Sequence, residues 1–359
     1  MGRKRLRDLG INIGTLPTGR LNAITDIDGV RVGYSTIIAD NPRVVRTGVT
    51  AIWPRPNIWE AYVFAGYHVL NGNGEMTGTI WIEEQGMIGM PVCITNTHSV
   101  GIVRDALCQY AVRDGKPAAW HLPIVAETWD GYLSDAESFP VTKEHTFEAL
   151  DAATGGAIAE GNVGGGTGMI AHEFKGGTGT ASRIAETPAG RFTVGALVQA
   201  NYGNRSMFRV DGVPVGEAID GSVVPTIREF MPTPPKPEGS IIVILATDAP
   251  LMPIQCQRLA QRASIGIAWV GGYGSNSSGD IFLAFSTGNT VRQVEHISNV
   301  RTVSNDSMTP LFLAAAEATQ EAILNAMCQA ETMSGFEGHI CHELPHDRLV
   351  AAMKKAGRL

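Results

Sequence analysis

Short apolar segments alternate with segments of helical periodicity along the whole chain. The apolar segments are rich in β-branched and aromatic residues and are bounded by Gly, Pro, Asn or Asp, which predicts strands. Several are apolar on both faces, so their sheets must be covered on both sides, and a layered α/β sandwich is favoured over an open sheet. The predicted strands span residues 27–35, 48–53, 79–82, 91–95, 192–200, 240–246, 265–270 and 280–286.

Helical spacing of apolar residues predicts helices over 100–112, 147–160, 253–264 and 310–333. The last is the clearest, because apolar residues recur at steps of three and four from Phe312 onwards. Thr309 is the predicted N-cap, and Pro310 stands at the first helical position, where its missing N–H costs nothing.

Composition narrows the class of protein. Hydrophobic residues make up 44% of the 359 residues and charged residues 18%, which excludes disorder. The longest apolar run, residues 241–246, is far shorter than the ~20 residues that span a bilayer, so no membrane segment is expected. A net charge of −7 without a basic stripe argues against nucleic acid as a partner. Five scattered cysteines indicate reduced thiols, and we expect a cytoplasmic protein.

Residues 225–239 hold five prolines in fifteen positions. Such a segment predicts an exposed, extended loop of the kind that marks a domain linker or a processing site. Ser240 follows at once, and a completely apolar strand comes after it. A predicted loop that leads into a serine at the start of a buried strand is the most informative junction in the sequence.

Two other motifs suggest chemistry but lack the right context. Residues 166–171 match the G-x-G-x-x-A dinucleotide fingerprint, yet the residues before them favour a loop rather than a strand, and we interpret these glycines as tight turns. Histidines 339, 342 and 346 with Cys341 offer metal ligands. Their spacing matches no helical HExxH, and Pro345 indicates a loop. We therefore predict neither a metal site nor a cofactor.

The serine-rich segment 274–280 lacks the G-x-S-x-G frame of a nucleophile elbow. However, Ser278 and Asp280 lie two residues apart at the start of a predicted strand, so their side chains share one face. A hydroxyl and a carboxylate on one face can relay a proton and orient a nucleophile on a neighbouring strand.

Residues 239–251 and 276–287 resemble the L-aminopeptidase/D-esterase and β-peptidyl aminopeptidase family, whose members are self-cleaving serine aminopeptidases related to the N-terminal nucleophile hydrolases. The resemblance covers nearly the whole chain. It implies a four-layer αββα sandwich formed by one domain over residues 1–359, with assembly as a homotetramer of αβ units. Further similar blocks span residues 71–78, 95–101, 127–131, 160–168 and 198–203.

The family cuts its own chain before the nucleophilic serine. Here the resemblance implies cleavage between Gly239 and Ser240, giving an α chain of residues 1–239 and a β chain of residues 240–359. The freed Ser240 would carry a hydroxyl and an α-amine, and a terminal amine can activate its own hydroxyl. Ser278 and Asp280 would complete the proton relay.

The resemblance also implies how substrate is held. Asn201 would donate its amide to the oxyanion, and Glu127 would pair with the free ammonium group of the substrate. Asn73 lies in a further similar block and is a candidate substrate-binding residue. Trp129 stands where the family has an aromatic hydroxyl that assists the oxyanion, and an indole can donate but cannot relay a proton. Tyr132 is the alternative.

The predicted activity is hydrolysis of the amide or ester bond after a free N-terminal residue, with small peptides, amino-acid amides or esters as substrates. Gly239 before the nucleophile and Asp280 in the relay favour the L-aminopeptidase/D-esterase branch, while the choice between α- and β-amino residues stays open. Amino-acyl transfer through the same acyl-enzyme is an alternative activity. A third hypothesis is that the protein is a binding module without enzymatic activity.

Overall fold

Two β-sheets lie face to face between two layers of helices. The computed structural model describes residues 2–115, 120–227, 238–292 and 295–359. In chain order the strands are β1 Arg31–Ala39, β2 Val45–Trp53, β3 Tyr62–Gly72, β4 Met87–Ile88, β5 Val92–Asn96, β6 Ile124–Thr128, β7 Ile170–Ala171, β8 Phe174–Lys175, β9 Gly177–Thr187, β10 Gly190–Asn201, β11 Glu238–Thr247, β12 Ser277–Val291, β13 Met333–Ser334 and β14 Ile340–Cys341. The helices are α1 Thr79–Gln85, α2 Val100–Arg113, α3 Lys143–Asp151, α4 Val215–Ala218, α5 Pro253–Ala260, α6 Ala263–Val270, α7 Thr309–Gln329 and α8 His346–Lys355.

The first sheet has the strand order β1-β2-β5-β6, and the second has β4-β3-β12-β11-β10-β9. Helices α2 and α3 pack on the first sheet, whereas α5 and α7 pack on the second. The layer order is therefore helices, sheet, sheet, helices, and the predicted four-layer sandwich is confirmed. Two short hairpins, β7–β8 and β13–β14, lie outside the main sheets.

Strand β11 shows why the layers form. Ile241 and Val243 contribute to the core between the second sheet and the helices. Ile242 and Ile244 alternate with them and belong to the core that includes the first sheet. Because successive side chains of a strand point to opposite faces, an uninterrupted apolar run is buried on both sides.

Two predicted strands are wrong. Residues 79–82 belong to α1, and residues 265–270 belong to α6. A short apolar run does not separate a strand from a buried helix by periodicity alone. The signals that decide are the left-handed glycines that end these helices, Gly86 with a φ of 66° and Gly271 with a φ of 105°.

Two local predictions also need correction. The helix predicted over 147–160 begins earlier, at Lys143, and ends at Asp151. Thr309 lies inside α7 rather than capping it, although Pro310 does occupy the first turn as predicted. The interpretation of the glycine-rich segment as tight turns agrees with the structure: the glycines at 164–166 form one 3-10 turn, and the next regular element is the short strand β7 rather than the helix that a dinucleotide fingerprint requires.

Most of the proline-rich segment 225–239 falls at residues 228–237, outside the described residues. The strand that follows begins at Glu238 rather than at Ser240. Gly239 and Ser240 are therefore two consecutive strand residues. Along the described ranges, we find no helix with both the length and the apolar character needed to cross a membrane.

Candidate active site

Ser240 lies at the N-terminal end of β11, between β10 and β12 of the second sheet. Across the antiparallel ladder it is paired with Asn201, the last residue of β10. Directly opposed residues place their side chains on the same face, with Cβ atoms about 5 Å apart. Both side chains are buried, Ser240 at 8% exposure and Asn201 at 9%.

The hydroxyl of Ser240 is oriented by the neighbouring parallel strand. Gly279 pairs with Ser240 in β12, and its backbone N–H donates to Ser240 Oγ at 3.2 Å. Because the oxygen accepts from this backbone donor, the hydroxyl keeps its own proton, which a base can remove.

Neighbouring backbone fixes the orientation of the Asn201 amide. Its Oδ1 accepts from the N–H of Ile170 at 2.8 Å, and its Nδ2 donates to the carbonyl of Trp129 at 2.9 Å. A donor on one side and an acceptor on the other define which atom is oxygen and which is nitrogen. An NH₂ group has two hydrogens, so one N–H is left for a group near Ser240.

Ser278 and Asp280 form the predicted pair on β12. Ser278 Oγ donates to Asp280 Oδ1 at 2.6 Å, which confirms that the two side chains share a face. Burial raises the pKa of Asp280 to about 6, although hydrogen bonds from Ser278, the Ile241 backbone and Asn71 oppose the shift. A carboxyl group with this pKa can take up and release a proton near neutral pH.

This pair and the Ser240 hydroxyl lie on opposite faces of the sheet. Asp280 shares its face with Phe282, which belongs to the core under the helices. Ser240 shares its face with Ile242, which belongs to the core between the sheets. The carboxylate of Asp280 instead reaches the backbone N–H of Ile241, next to the bond that the sequence predicts to be cut. The pair therefore lies close to the backbone of Ser240 rather than to its hydroxyl.

Gly239 is held tightly at the predicted cleavage position. A Cβ on this residue would lie 2.7 Å from Tyr202 Cα and 2.8 Å from the carbonyl oxygen of Asn201. Both distances are shorter than real Cβ contacts, so only glycine fits this backbone position.

Glu127 is the penultimate residue of β6 in the first sheet and is a buried carboxylate, 3% exposed. Its Oε1 accepts from the N–H of Glu75 at 2.9 Å, and its Oε2 accepts from the hydroxyl of Thr97. Burial raises the pKa of Glu127 despite these bonds. Among the described residues, no lysine or arginine forms an ion pair with it, so the carboxylate can accept a cation from outside.

Gly74 connects Glu127 to the serine. A Cβ placed on Gly74 would lie 3.0 Å from Glu127 Oε1 and 3.2 Å from the Cα of Gly279, whose N–H contacts Ser240. Gly74 therefore lies next to both the Glu127 carboxylate and the residue whose N–H contacts the Ser240 hydroxyl. Gln199 joins the two sheets, donating to the carbonyl of Thr95 at 2.9 Å.

The remaining predicted residues occupy different places. Asn73 donates to the carbonyl of Ser277 at 2.6 Å and so supports the strand that carries Ser278. Trp129 contributes its carbonyl to Asn201, and its exposed ring covers Gly131. Tyr132 lies in a separate small core and stacks on His339 with ring centroids 4.3 Å apart. Its buried hydroxyl has no hydrogen-bond partner among the described residues, and burial raises its pKa to about 12.

The histidines near the C-terminus contact backbone. His339 Nδ1 lies 2.9 Å from the carbonyl of Tyr132, and His346 Nε2 lies 2.9 Å from that of Cys328. Within the part of the chain that the structure describes, no group of three or more His, Cys, Asp or Glu side chains is arranged to hold a metal ion.

Sequence reasoning missed the backbone donors of the site. Gly279 orients the serine and Ile170 orients Asn201, but a backbone N–H leaves no trace in residue type. Thr97 lies within one of the blocks that carry the family resemblance, and only the structure shows its bond to Glu127.

The fold and the site define the class of protein. A four-layer αββα sandwich that carries a serine on a central strand, opposite an oriented amide, is the arrangement of aminopeptidases related to the N-terminal nucleophile hydrolases. The profile of peptidase family S58 matches residues 22–341. The chain belongs to peptidase family S58 and is a hydrolase that acts on N-terminal residues.

Individual relatives cover nearly the whole chain. The β-peptidyl aminopeptidase BapA of Sphingosinicella microcystinivorans is 47% identical over 99% of this chain and 93% of its own length. The solved structure of a Burkholderia sp. β-aminopeptidase is 49% identical with a TM-score of 0.90, covering 99% of both chains. The L-aminopeptidase D-Ala-esterase/amidase of Ochrobactrum anthropi, described as a variant of the Ntn hydrolase fold, is 45% identical with the same TM-score and coverage.

Proposed function

We propose that the chain cuts itself between Gly239 and Ser240 and then uses Ser240 as an N-terminal nucleophile. The observation that carries the proposal is the position of this bond within β11, with the Asn201 side chain opposite and the Gly279 N–H on the hydroxyl. A processing site in an exposed linker would need neither feature.

Processing begins when Ser240 Oγ attacks the carbonyl carbon of Gly239. The C–N bond breaks, the nitrogen takes up the hydroxyl proton, and an ester joins Gly239 to Ser240 Oγ. Water then hydrolyses the ester, which leaves a carboxylate on Gly239 and frees the hydroxyl and the α-amine of Ser240. Because a Cβ on residue 239 would clash with Tyr202 and the Asn201 carbonyl, glycine is needed to keep the strand, and with it the carbonyl that is attacked, in this position.

In turnover, the same hydroxyl attacks the carbonyl of the substrate and forms an acyl-enzyme, which water hydrolyses. The α-amine, with an ordinary pKa of about 8, takes the hydroxyl proton. Ser278 and Asp280 lie beside the backbone of Ser240, so their relay acts through this amine. Asn201 donates its remaining N–H to the oxyanion.

Glu127 explains why the substrate needs a free N-terminus. A buried carboxylate with a raised pKa gains most from an added cation, and the ammonium group of the first residue supplies one. Because Gly74 neighbours both Glu127 and the Gly279 strand residue that contacts Ser240, an ammonium bound at Glu127 would have its scissile bond within reach of the serine. Trp129, whose carbonyl contacts Asn201 and whose side chain is exposed, is our candidate for contact with the leaving group.

Whether the enzyme prefers an α- or a β-amino acid as the first residue of its substrate can be tested with a matched pair of substrates. Identities to β-aminopeptidases and to an L-aminopeptidase are nearly equal, between 45% and 49%. We propose that Gly239 and Asp280 mark the L-aminopeptidase/D-esterase type, with α-amino residues preferred. The kcat/KM for L-alanine and β-alanine p-nitroanilides, measured side by side, decides the preference, and a higher value for the β-alanine compound contradicts it.

Intact mass spectrometry tests processing. Wild type should give two polypeptides, residues 1–239 and 240–359, and Ser240→Ala should give one unbroken chain without aminopeptidase activity. An active, unbroken wild-type chain would contradict the proposal.

We further propose that the processed protein is a homotetramer of αβ units, which light scattering tests. We also propose that it is cytoplasmic, which fractionation of the source cells tests.

A further inference from the structure

Lys175 is fully buried in the hairpin β7–β8, and the proposed reaction does not use it. Its Nζ donates to the carbonyl of Met169 at 2.7 Å and to that of Gly176 at 3.0 Å. Among the described residues, no carboxylate forms an ion pair with it. Burial lowers the pKa of Lys175 to about 7, and the neighbouring Cys341 thiol partly offsets this shift. A buried lysine without a carboxylate partner needs a reason to be there.

The two carbonyls lie at the two ends of the hairpin. Gly176 also donates its N–H to Met169 at 2.9 Å, so lysine and glycine together close the loop. The closed hairpin is pressed against the end of β10, because a Cβ on Gly176 would lie 2.4 Å from the carbonyl oxygen of Ala200. On the other side of Asn201, the His172 N–H donates to the carbonyl of Tyr202 at 2.7 Å.

The hairpin thus surrounds Asn201, and one peptide unit connects it to Lys175. The carbonyl of Met169 and the N–H of Ile170 belong to the same peptide bond. The carbonyl accepts from Lys175 Nζ, and the N–H donates to Asn201 Oδ1 at 2.8 Å. Hydrogen bonds in a chain polarise one another, so a donor on the carbonyl strengthens the N–H of the same unit.

We propose that Lys175 is a positioning residue for the oxyanion site, acting on Asn201 through the Met169–Ile170 peptide. Its two hydrogen bonds hold this peptide plane in place, and the Ile170 N–H then fixes the Asn201 amide with its nitrogen towards Ser240. Electron density drawn from the amide oxygen makes the remaining N–H of Asn201 a stronger donor. The proposal rests on the role of Asn201 in the proposed function.

A double-mutant cycle on the processed protein tests it. Lys175→Met keeps the shape and removes the donor, and we expect kcat to fall about tenfold with KM unchanged, since an oxyanion contact acts only in the transition state. In the Asn201→Ala background the same substitution should change kcat less than twofold. Rates are expressed per acyl-enzyme site titrated by the burst of an ester substrate, so unfolded or uncleaved protein does not count.

Two further variants separate positioning from packing. Lys175→Gln keeps an N–H donor and should recover most of kcat, whereas Cys341→Ala changes the packing beside the lysine and should leave kcat within twofold of wild type. If Lys175→Met gives no titratable sites, the same double-mutant cycle is run with Lys175→Gln, for which we expect a smaller loss of kcat. The test is again whether the substitution lowers kcat less in the Asn201→Ala background than in wild type.

The outcomes distinguish this inference from the proposed function. If Asn201→Ala retains full kcat, the oxyanion role itself is wrong. Two outcomes overturn only the role of Lys175, given that Asn201→Ala lowers kcat. In one, the lysine substitution reduces kcat by the same factor in the wild-type and Asn201→Ala backgrounds. In the other, it leaves kcat within twofold of wild type.

Discussion

Asn201 and Ser240 face each other across the β10–β11 ladder, and each is oriented by a backbone N–H, from Ile170 and Gly279 respectively. The proposed nucleophile and the proposed oxyanion donor are thus each oriented by a backbone N–H. Backbone donors cost no side-chain entropy when they order a site, which suits a donor that must already be in place when charge develops.

Asn201→Ala should lower kcat by about 10²–10³-fold and leave KM nearly unchanged, because the amide acts on charge that exists only in the transition state. Steady-state kinetics on processed, site-titrated protein measure both constants. Asn201→Asp is the matched control: it keeps an acceptor for the Ile170 N–H, lacks the donor, and should be at least as slow. A raised KM with normal kcat would assign Asn201 to ground-state binding instead.

Glu127→Gln should raise KM for substrates with a free amine by roughly 30-fold or more, the cost of removing one partner of a buried charge pair. Thr97→Val removes the hydroxyl bond but keeps the carboxylate, and should have a much smaller effect. Measuring KM for an amino-acid anilide in both variants separates the effect of losing the negative charge of Glu127 from the effect of losing its hydrogen bond to Thr97. An unchanged KM in Glu127→Gln would place the ammonium elsewhere.

The fold class and the site residues could be predicted for different reasons. Two-sided apolar runs such as 241–246 require a covered sheet, so the layered sandwich follows from burial alone. The individual roles of Asn201 and Glu127 came only through family resemblance. Nothing in their spacing shows that strands β6, β10 and β11 meet at one end of the sandwich.

Other features could not be read from the sequence. Strand β9, residues 177–187, carries Gly, Thr, Ser and the buried Arg183, so it lacks a strand's apolar pattern although it is buried. The opposite faces of Ser240 and Asp280 depend on register between two strands, which tertiary pairing sets. Helices α1 and α6 have the composition of strands, and packing decided between the two structures.

Processing of the unbroken chain should slow as the pH falls through about 6, the raised pKa of Asp280, since a protonated carboxyl accepts more weakly from the Ile241 N–H beside the bond to be cut. Below that value the rate should drop about tenfold per pH unit if one group controls it. Gel densitometry of freshly synthesised chain at a series of pH values gives the profile. Asp280→Asn should process slowly at every pH, and a wild-type rate that does not change across pH 6 would show that Asp280 takes no part in processing.

The raised pKa of Asp280 also determines how the stability of the folded chain depends on pH. The pKa of Asp280 is higher in the folded chain than its ordinary value of 3.8, so the folded state binds more protons between these values. Stability of the unprocessed Ser240→Ala chain should therefore fall as the pH rises through this window. To isolate the part due to Asp280, the free energy of unfolding is measured in urea at each pH for two proteins: Ser240→Ala, and the double variant Ser240→Ala/Asp280→Asn. The difference between their pH dependences is the contribution of Asp280.

Gly239→Ala should slow processing on the order of 10²-fold. The added Cβ meets Tyr202 Cα and the Asn201 carbonyl, so the strand must shift and the carbonyl leaves its position near Ser240 Oγ. Gly101→Ala is the matched control, because a Cβ there meets nothing within 4 Å. Processing half-times from mass spectrometry compare them, and equal half-times would show that the contacts around Gly239 do not matter.

A buried ion network joins the two predicted polypeptides. Arg183 of β9 contacts Glu317 at 3.0 Å and Glu321 at 2.6 Å, and both carboxylates belong to α7, beyond the cleavage position. Arg7 adds a second cation to Glu321 at 2.8 Å. Burial raises the pKa of Glu321, but the two arginines outweigh it and hold the pKa below its ordinary value. This contribution to stability is therefore lost as the pH falls through that lowered pKa.

Arg183→Met leaves two buried carboxylates with less compensation and should cost about 3–5 kcal/mol of unfolding free energy. Once the chain is cut, the same loss weakens the docking of α7, so residues 240–359 should separate from residues 1–239 at lower urea concentrations than in wild type. Arg191→Met removes an exposed pair with Glu186 and should cost under about 1 kcal/mol. Urea melts and gel filtration of both variants measure the difference, and similar midpoints would show that hydrophobic packing alone holds the processed chains together.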